Sequence, residues 1–240
     1  MQTRSRRFVL CHILFGYGLI GYGLVGYGAF AADGSLPMVL ARMDKAAKEF
    51  KSMTAQVTYV THTDVLNEND TEMGAVTMKK VQPGEVQGRV DFTAPDRKTV
   101  TIEKRRVQAY FPKINTLQVF DLDRHGEQLD KFFMIGFGTS GMELAKDYDV
   151  TITGTEDLKG QSAIRLRLSP KAAEARQYIQ TIELWIPSEG DPYPLREKIL
   201  EPSHDYRLVT YSGLVINPPL QPDALQLKLP PDVKTEYPGK

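Results

Sequence analysis

Residues 136–141, Gly136-Phe137-Gly138-Thr139-Ser140-Gly141, match the pattern G-x-G-x-x-G. That pattern binds a pyrophosphate when it follows a strand, opens a helix and lies inside a βαβ unit. The flanking chain is not of that kind, so the glycines read as a flexible loop. Ser140 is close to a nucleophile elbow, but Met142 stands where the elbow needs glycine. His62, His125 and His204 are far apart, each in polar surroundings near an expected turn. His62-Thr63-Asp64 offers two metal ligands, and nothing completes a site. No H-E-x-x-H and no P-loop is present. Asp121, Asp123, Glu156 and Asp157 sit in turn-like places, and nothing marks two of them as an acid–base pair. Lys104-Arg105-Arg106 reads as a solvated hairpin tip rather than an anionic-lipid contact. The chain carries 30 Lys+Arg against 30 Asp+Glu, which gives no nucleic-acid face. The expectation is a protein without catalytic residues, metal or cofactor, and not an enzyme.

The elements that must position any site are one helix and many strands. Leu36, Val39, Leu40, Met43, Ala46, Ala47 and Phe50 recur at helical spacing, with Ser35 as N-cap and Pro37 in the first turn. An amphipathic helix is expected from Leu36 to about Ser52. The period then changes to two. Met53–Tyr59, Val76–Lys80, Val86–Phe92, Val100–Ile102, Val107–Phe111 and Leu117–Leu122 read as strands of an antiparallel meander, separated by close turn signals. Gln128–Gly136 is a short, very apolar piece, and Met142–Asp147 and Lys171–Tyr178 read as short helical segments. Strands return at Tyr148–Gly154, Ser162–Leu168, Ile179–Ile186, Leu195–Glu201, Arg207–Ser212 and Leu225–Leu229. A sheet of about ten antiparallel strands tends to curl, and its apolar face must be covered. The expected fold is therefore α+β: a curled antiparallel β-sheet, an incomplete β-barrel, with a small helical lid enclosing an apolar cavity.

The N-terminus reads as an export signal. Arg4, Arg6 and Arg7 precede an uncharged stretch from Phe8 to Phe30, which ends in the small-x-small site Ala29-Phe30-Ala31. Three Gly-Tyr-Gly units lower the helix propensity of that stretch and argue against a retained transmembrane helix. Ser5-Arg6-Arg7-Phe8-Val9-Leu10 also resembles a twin-arginine signal, so the sequence leaves the export route open. Leu10 is too large for a lipoprotein box before Cys11. Two parts are expected: residues 1–31, removed on export, and residues 32–240, a single domain. The second part lacks cysteine and is slightly acidic. Hydrophobic residues at 41% and charged residues at 25% are globular values, so a soluble periplasmic protein is expected.

The order of motifs resembles that of the LolA/LolB-like proteins, periplasmic outer-membrane lipoprotein carriers and lipoprotein-sorting proteins. The resemblance runs from Leu36 to Val233. It begins with the helix Leu36–Phe50 leading directly into Met53–Tyr59. Gly74-Ala75-Val76-Thr77-Met78-Lys79-Lys80 follows, and then Arg89-Val90-Asp91-Phe92-Thr93-Ala94-Pro95-Asp96. Tyr110-Phe111-Pro112-Lys113-Ile114-Asn115-Thr116-Leu117-Gln118-Val119, Leu184-Trp185-Ile186 and Leu227-Lys228-Leu229-Pro230-Pro231-Asp232-Val233 complete the series. Lys80 stands where that family has an arginine that contacts the lid helices, and Val81 and Gln82 intervene before Pro83. Lysine lacks the planar, multidentate contacts of arginine.

The resemblance implies a periplasmic carrier that binds acyl chains of lipoproteins, or another lipid, and delivers them toward the outer membrane. Its implied partners are the acylated cargo, an inner-membrane releasing complex and an outer-membrane acceptor, with no nucleic acid, and the protein is expected to be a monomer. The alternative is an envelope enzyme or sensor module of the same fold with a different lipid or protein ligand. Period-two placement turns Val57, Tyr59, Val76, Met78, Val90 and Phe92 inward, toward the apolar ligand. Phe132, Phe133 and Ile135, with Met134 and Phe137, are expected to form a lid hinged at Gly136, Gly138 and Gly141, the alternative being a plain buried core segment. Lys80 is the expected lid contact.

Overall fold

A computed structural model describes residues 34–82, 85–103, 106–121 and 135–238. The first helix, α1 (Leu36–Glu49), forms where the helical spacing places it. Ser35 occupies the N-cap position, but its side chain makes no capping bond; its carbonyl accepts from the Met38 and Val39 N–H groups at 3.0 Å. The helix ends at Phe50, whose N–H donates to the Ala46 carbonyl. Val39, Met43 and Ala47 form its buried stripe.

Two meanders follow. The first comprises β1 (Ser52–Thr63), β2 (Glu68–Gln82), β3 (Glu85–Ala94), β4 (Lys98–Glu103), β5 (Arg106–Phe111) and β6 (Thr116–Asp121). After α2 (Gly141–Asp147) the second comprises β7 (Tyr148–Leu158), β8 (Gln161–Pro170), β9 (Thr181–Pro187), β10 (Arg196–Leu200) and β11 (Tyr206–Ile216), with the single turn α3 (Ala173–Arg176) before β9. β11 pairs back onto β1, with Val57 opposite Tyr211 and Tyr59 opposite Val209. The two meanders thereby become one 12-stranded sheet in the order β12-β6-β5-β4-β3-β2-β1-β11-β10-β9-β8-β7, where β12 is Lys234–Glu236. The sheet is not closed: β12 and β7 are its edges.

The sheet departs from the expected one in two places. Leu225–Leu229 alternates like a strand but is not one. Gln226 N–H donates to the Asp223 carbonyl at 3.0 Å, and Ala224 N–H to Gln221 at 3.1 Å. These turns and the flanking Pro222, Pro230 and Pro231 remove the donors a ladder needs. The last strand instead lies at Lys234–Glu236 and runs parallel to β6, so the sheet is mixed rather than wholly antiparallel.

Two apolar clusters hold the helices on the inward face. Val39 and Met43 of α1 and Leu144 of α2 pack with Leu166, Leu168, Ile182, Leu184 and Ile186 of β8 and β9. Phe50, Phe137 and Tyr193 pack with Met53, Ala55, Val57, Val76, Met78 and Val86 of β1–β3. One helix therefore bridges both meanders. Arg42 fixes it from the polar side, donating to the carbonyls of Pro187 (2.8 Å), Gly190 (2.9 Å) and Ser188 (3.0 Å). Asn217, in the left-handed region at φ 53°, accepts from Lys51 N–H (2.7 Å) and Ser52 N–H (3.1 Å) and donates to Glu49 O (2.9 Å), joining the end of β11 to the α1–β1 junction.

Candidate functional site

Inward-facing side chains of seven consecutive strands line one cavity of about 890 Å³. β5 contributes Val107 and β10 contributes Glu197 and Ile199. In a flat sheet, strands six places apart would lie about 29 Å from one another. Both can line one cavity only because the sheet curls.

Cross-strand register sets the lining. Val100, Val90 and Val76 are direct neighbours across β4, β3 and β2. Ile102 and Met78 flank Gly88 in the next inward row. A Cβ at Gly88 would meet nothing within 4 Å, so this glycine widens the cavity floor. Gly74 is different: a Cβ there would collide with the Asp91 carbonyl, at the bulge where the β2–β3 register shifts. From the second meander come Val209 and Tyr211 of β11, and the turn after α3 supplies Gln177, Tyr178 and Ile179.

Charged lining groups gather at one end of the sheet. Lys98 Nζ lies 2.8 Å from Glu72 Oε1 and 4.7 Å from the centroid of the Phe92 ring. Arg207 pairs with Glu201 at 2.8 Å, and Pro202 and Ser203 complete that rim. Burial pushes the Tyr59 hydroxyl above its ordinary pKa, against the opposing pull of Arg207. The result is an amphipathic cavity with an aliphatic interior and an ion-paired mouth.

Val57, Tyr59, Val76, Met78, Val90 and Phe92 all lie on the lining. Ile135 does not: it is 1% exposed within the α1/β8/β9 cluster. Phe132 and Phe133 lie outside the described residues, as does Met134. Phe137 is fully buried among Phe50, Tyr193 and Tyr211. Gly136 and Gly138 do adopt φ of +82° and +89°, but Gly136 is seated against Pro194. The described end of the expected lid is thus core. Lys80 joins β2 to the last turn of α1, its N–H donating to Lys51 O at 2.8 Å and its Nζ to Ala47 O at 3.3 Å. A cation suits the negative end of that helix.

The residues weighed for chemistry are engaged elsewhere. Ser140 caps α2: its Oγ accepts from Glu143 N–H at 3.1 Å, and its own N–H donates to Glu143 Oε2 at 2.8 Å. His62 stacks on Tyr206 with ring centroids 4.5 Å apart. Glu156 accepts from Trp185 Nε1 (2.6 Å) and Arg196 Nη1 (3.2 Å). Among the described residues no group of three or more metal-ligating side chains forms a metal site, and no helix is long and apolar enough to cross a membrane. His125 and Asp123 lie outside them.

Sequence reasoning missed Glu197. Its carboxyl faces inward on β10 in phase with Leu195 and Ile199, and that phase was the available signal. Glu197 is 6% exposed, and burial pushes its pKa up to about 8.

The fold and cavity define a class: a curled-sheet protein with an apolar interior open at an ion-paired rim. No family model matches the sequence, and no curated protein matches it. Among solved structures, an uncharacterized conserved protein from Thermus thermophilus is similar, with a TM-score of 0.50 and 16% identity over 84% of this chain and 98% of that one. The Pseudomonas aeruginosa MucA/MucB complex gives 0.46 and 17% over 80% of this chain and 61% of that one. A LolA superfamily protein from Nitrosomonas europaea gives 0.41 and 13% over 80% and 98%.

Proposed function

We propose that the protein is an exported, periplasmic carrier that takes acyl chains of lipoproteins, or of another lipid, into the curled-sheet cavity and delivers them toward the outer membrane. The observation that carries this reading is the cavity itself: about 890 Å³, lined by aliphatic and aromatic side chains from seven strands, with its charges confined to one end and one buried acid. Each CH₂ moved from water into such a lining is worth about 0.8 kcal/mol. The ion pairs at the rim suit a polar headgroup or acylated N-terminus left at the mouth. A transient carrier must also release its load, so partners at the inner and outer membranes complete the cycle. The motif order from Leu36 to Val233 supports the same reading. The working protein is residues 32–240, a single domain acting as a monomer.

Native mass spectrometry of protein purified gently from the cell envelope tests this. Acyl lipid or lipoprotein bound in stoichiometric amount is expected. Protein that carries no lipid, and that does not bind a fluorescent fatty acid, overturns the reading.

A further inference from the structure

β10 presents Glu197 and Ile199, with Glu201 just beyond the strand, to the cavity. Its other face carries Arg196, whose guanidinium lies 5.4 Å from the Trp185 ring, and Lys198, 4.0 Å from the Tyr206 ring. Four residues of extended chain place Glu197 about 14 Å inward from the Glu201 rim. There it stands in register between Leu184 of β9 and Val209 of β11. Its Oε1 is buried and has no hydrogen-bond partner among the described residues. A polar atom held in this way costs stability, and a leucine at the same place would not. Part of the lining is therefore polar for a reason that packing does not supply.

We propose that Glu197 is a specificity residue of the cavity, hydrogen-bonding a hydroxyl carried part-way along an acyl chain whose headgroup stays at the rim, so that hydroxylated chains are preferred to plain ones. The proposal rests on the carrier reading above and adds the ligand's chemistry to it. Burial keeps the carboxyl in its neutral form at pH 7, with one O–H to donate and one carbonyl oxygen to accept. A hydroxyl is the small group that both donates and accepts, and it leaves the rest of the chain apolar. Charged partners are disfavoured: an anion would meet an acid with no counter-ion, and a cation would require ionising Glu197 within hydrocarbon. Tyr211 and Tyr148, whose hydroxyls feel the charge of an ionised Glu197, are themselves pushed up by burial and stay neutral.

The test is displacement of a fluorescent fatty acid from the exported protein by oleic acid and by ricinoleic acid, which differ by one mid-chain hydroxyl. The wild type is expected to favour ricinoleic acid by roughly three- to tenfold, the value of one buried hydrogen bond. Glu197→Gln, whose amide also donates and accepts, should keep a preference. Glu197→Met should lose it while binding oleic acid at least as tightly. Equal displacement by the two acids in the wild type, or an undiminished preference in Glu197→Met, overturns the assignment and leaves the carrier reading standing. Failure of the wild type to bind the probe or either acid overturns the carrier reading and this inference together. Should Glu197→Met not fold, Glu197→Ala takes its place: loss of the preference is expected, and an undiminished preference overturns the assignment.

Discussion

The rings of Phe137 and Tyr193 stack nearly parallel, 8° apart with centroids at 6.0 Å. This contact seats the chain leading into α2 against the loop before β10. Phe50 tilts against both rings, at 6.3 Å and 5.9 Å, and Tyr211 meets Phe137 edge-on at 5.1 Å. An aromatic cluster of this kind is a fixed wall. Phe137→Ala should therefore cost roughly 3–5 kcal/mol, as large-to-small changes in packed cores do. Urea unfolding checks it; a shift of only a few tenths would mean that the segment swings as a lid.

Gly88 offers a way to fill the cavity without disturbing the core. Its Cβ position faces open space between Met78 and Ile102. Gly88→Leu should leave the melting temperature unchanged or slightly raised, since glycine weakens a strand. Affinity for a fluorescent fatty acid should fall by at least about tenfold, because a branched side chain replaces space the ligand would occupy. Unchanged affinity would place the ligand elsewhere.

Glu197 gives the fold a pH dependence of definite sign. Its folded pKa, about 8, lies above its ordinary 4.5. The folded state therefore holds the proton more tightly than the unfolded chain does. The stability so gained is fully present below about 4.5, is lost as pH rises from there to about 8, and changes no further above it. Each pH unit inside that window is worth up to about 1.4 kcal/mol. Urea midpoints of wild type and Glu197→Gln, measured near pH 5 and near pH 8, should diverge, with the wild type losing ground at the higher pH. Parallel behaviour would mean that the carboxyl is hydrated when folded.

Arg42 spreads one guanidinium over three carbonyls at the end of β9. Arg42→Ala should cost about 2 kcal/mol, the usual value for hydrogen bonds to a charged group. Arg42→Lys should recover less than half, because an ammonium cannot span the same fork. Thermal unfolding of both variants measures the difference, and full recovery by lysine would show that charge alone matters.

Export should remove the chain up to Ala31 or Ala32, at the Ala29-Phe30-Ala31 site. N-terminal sequencing of envelope material checks this, and an intact Met1 in a membrane pellet would overturn it.

The helical spacing from Leu36 to Phe50 and the period-two alternation in β1–β3 were enough to say which side chains face inward. Both patterns are local: a strand with one apolar face carries that information in every second residue. Register and partner choice are not local. Nothing within β1 says that it will pair with β11, more than 140 residues away, yet that pairing brings Val209, Tyr211 and Glu197 to the same cavity as Val57 and Tyr59. Ile135 shows the converse. An apolar run beside glycines reads equally as lid or core, and at Ile135 only the packing of α1 and β9 around that residue decided for core. Leu225–Leu229 alternates as a strand should, but its donors are spent in turns, and the short polar Lys234–Glu236 pairs instead because β6 offers it a free edge. Hydrophobic pattern determines which face is buried; the hydrogen bonds still available and the shape of the assembled sheet determine what that face encloses.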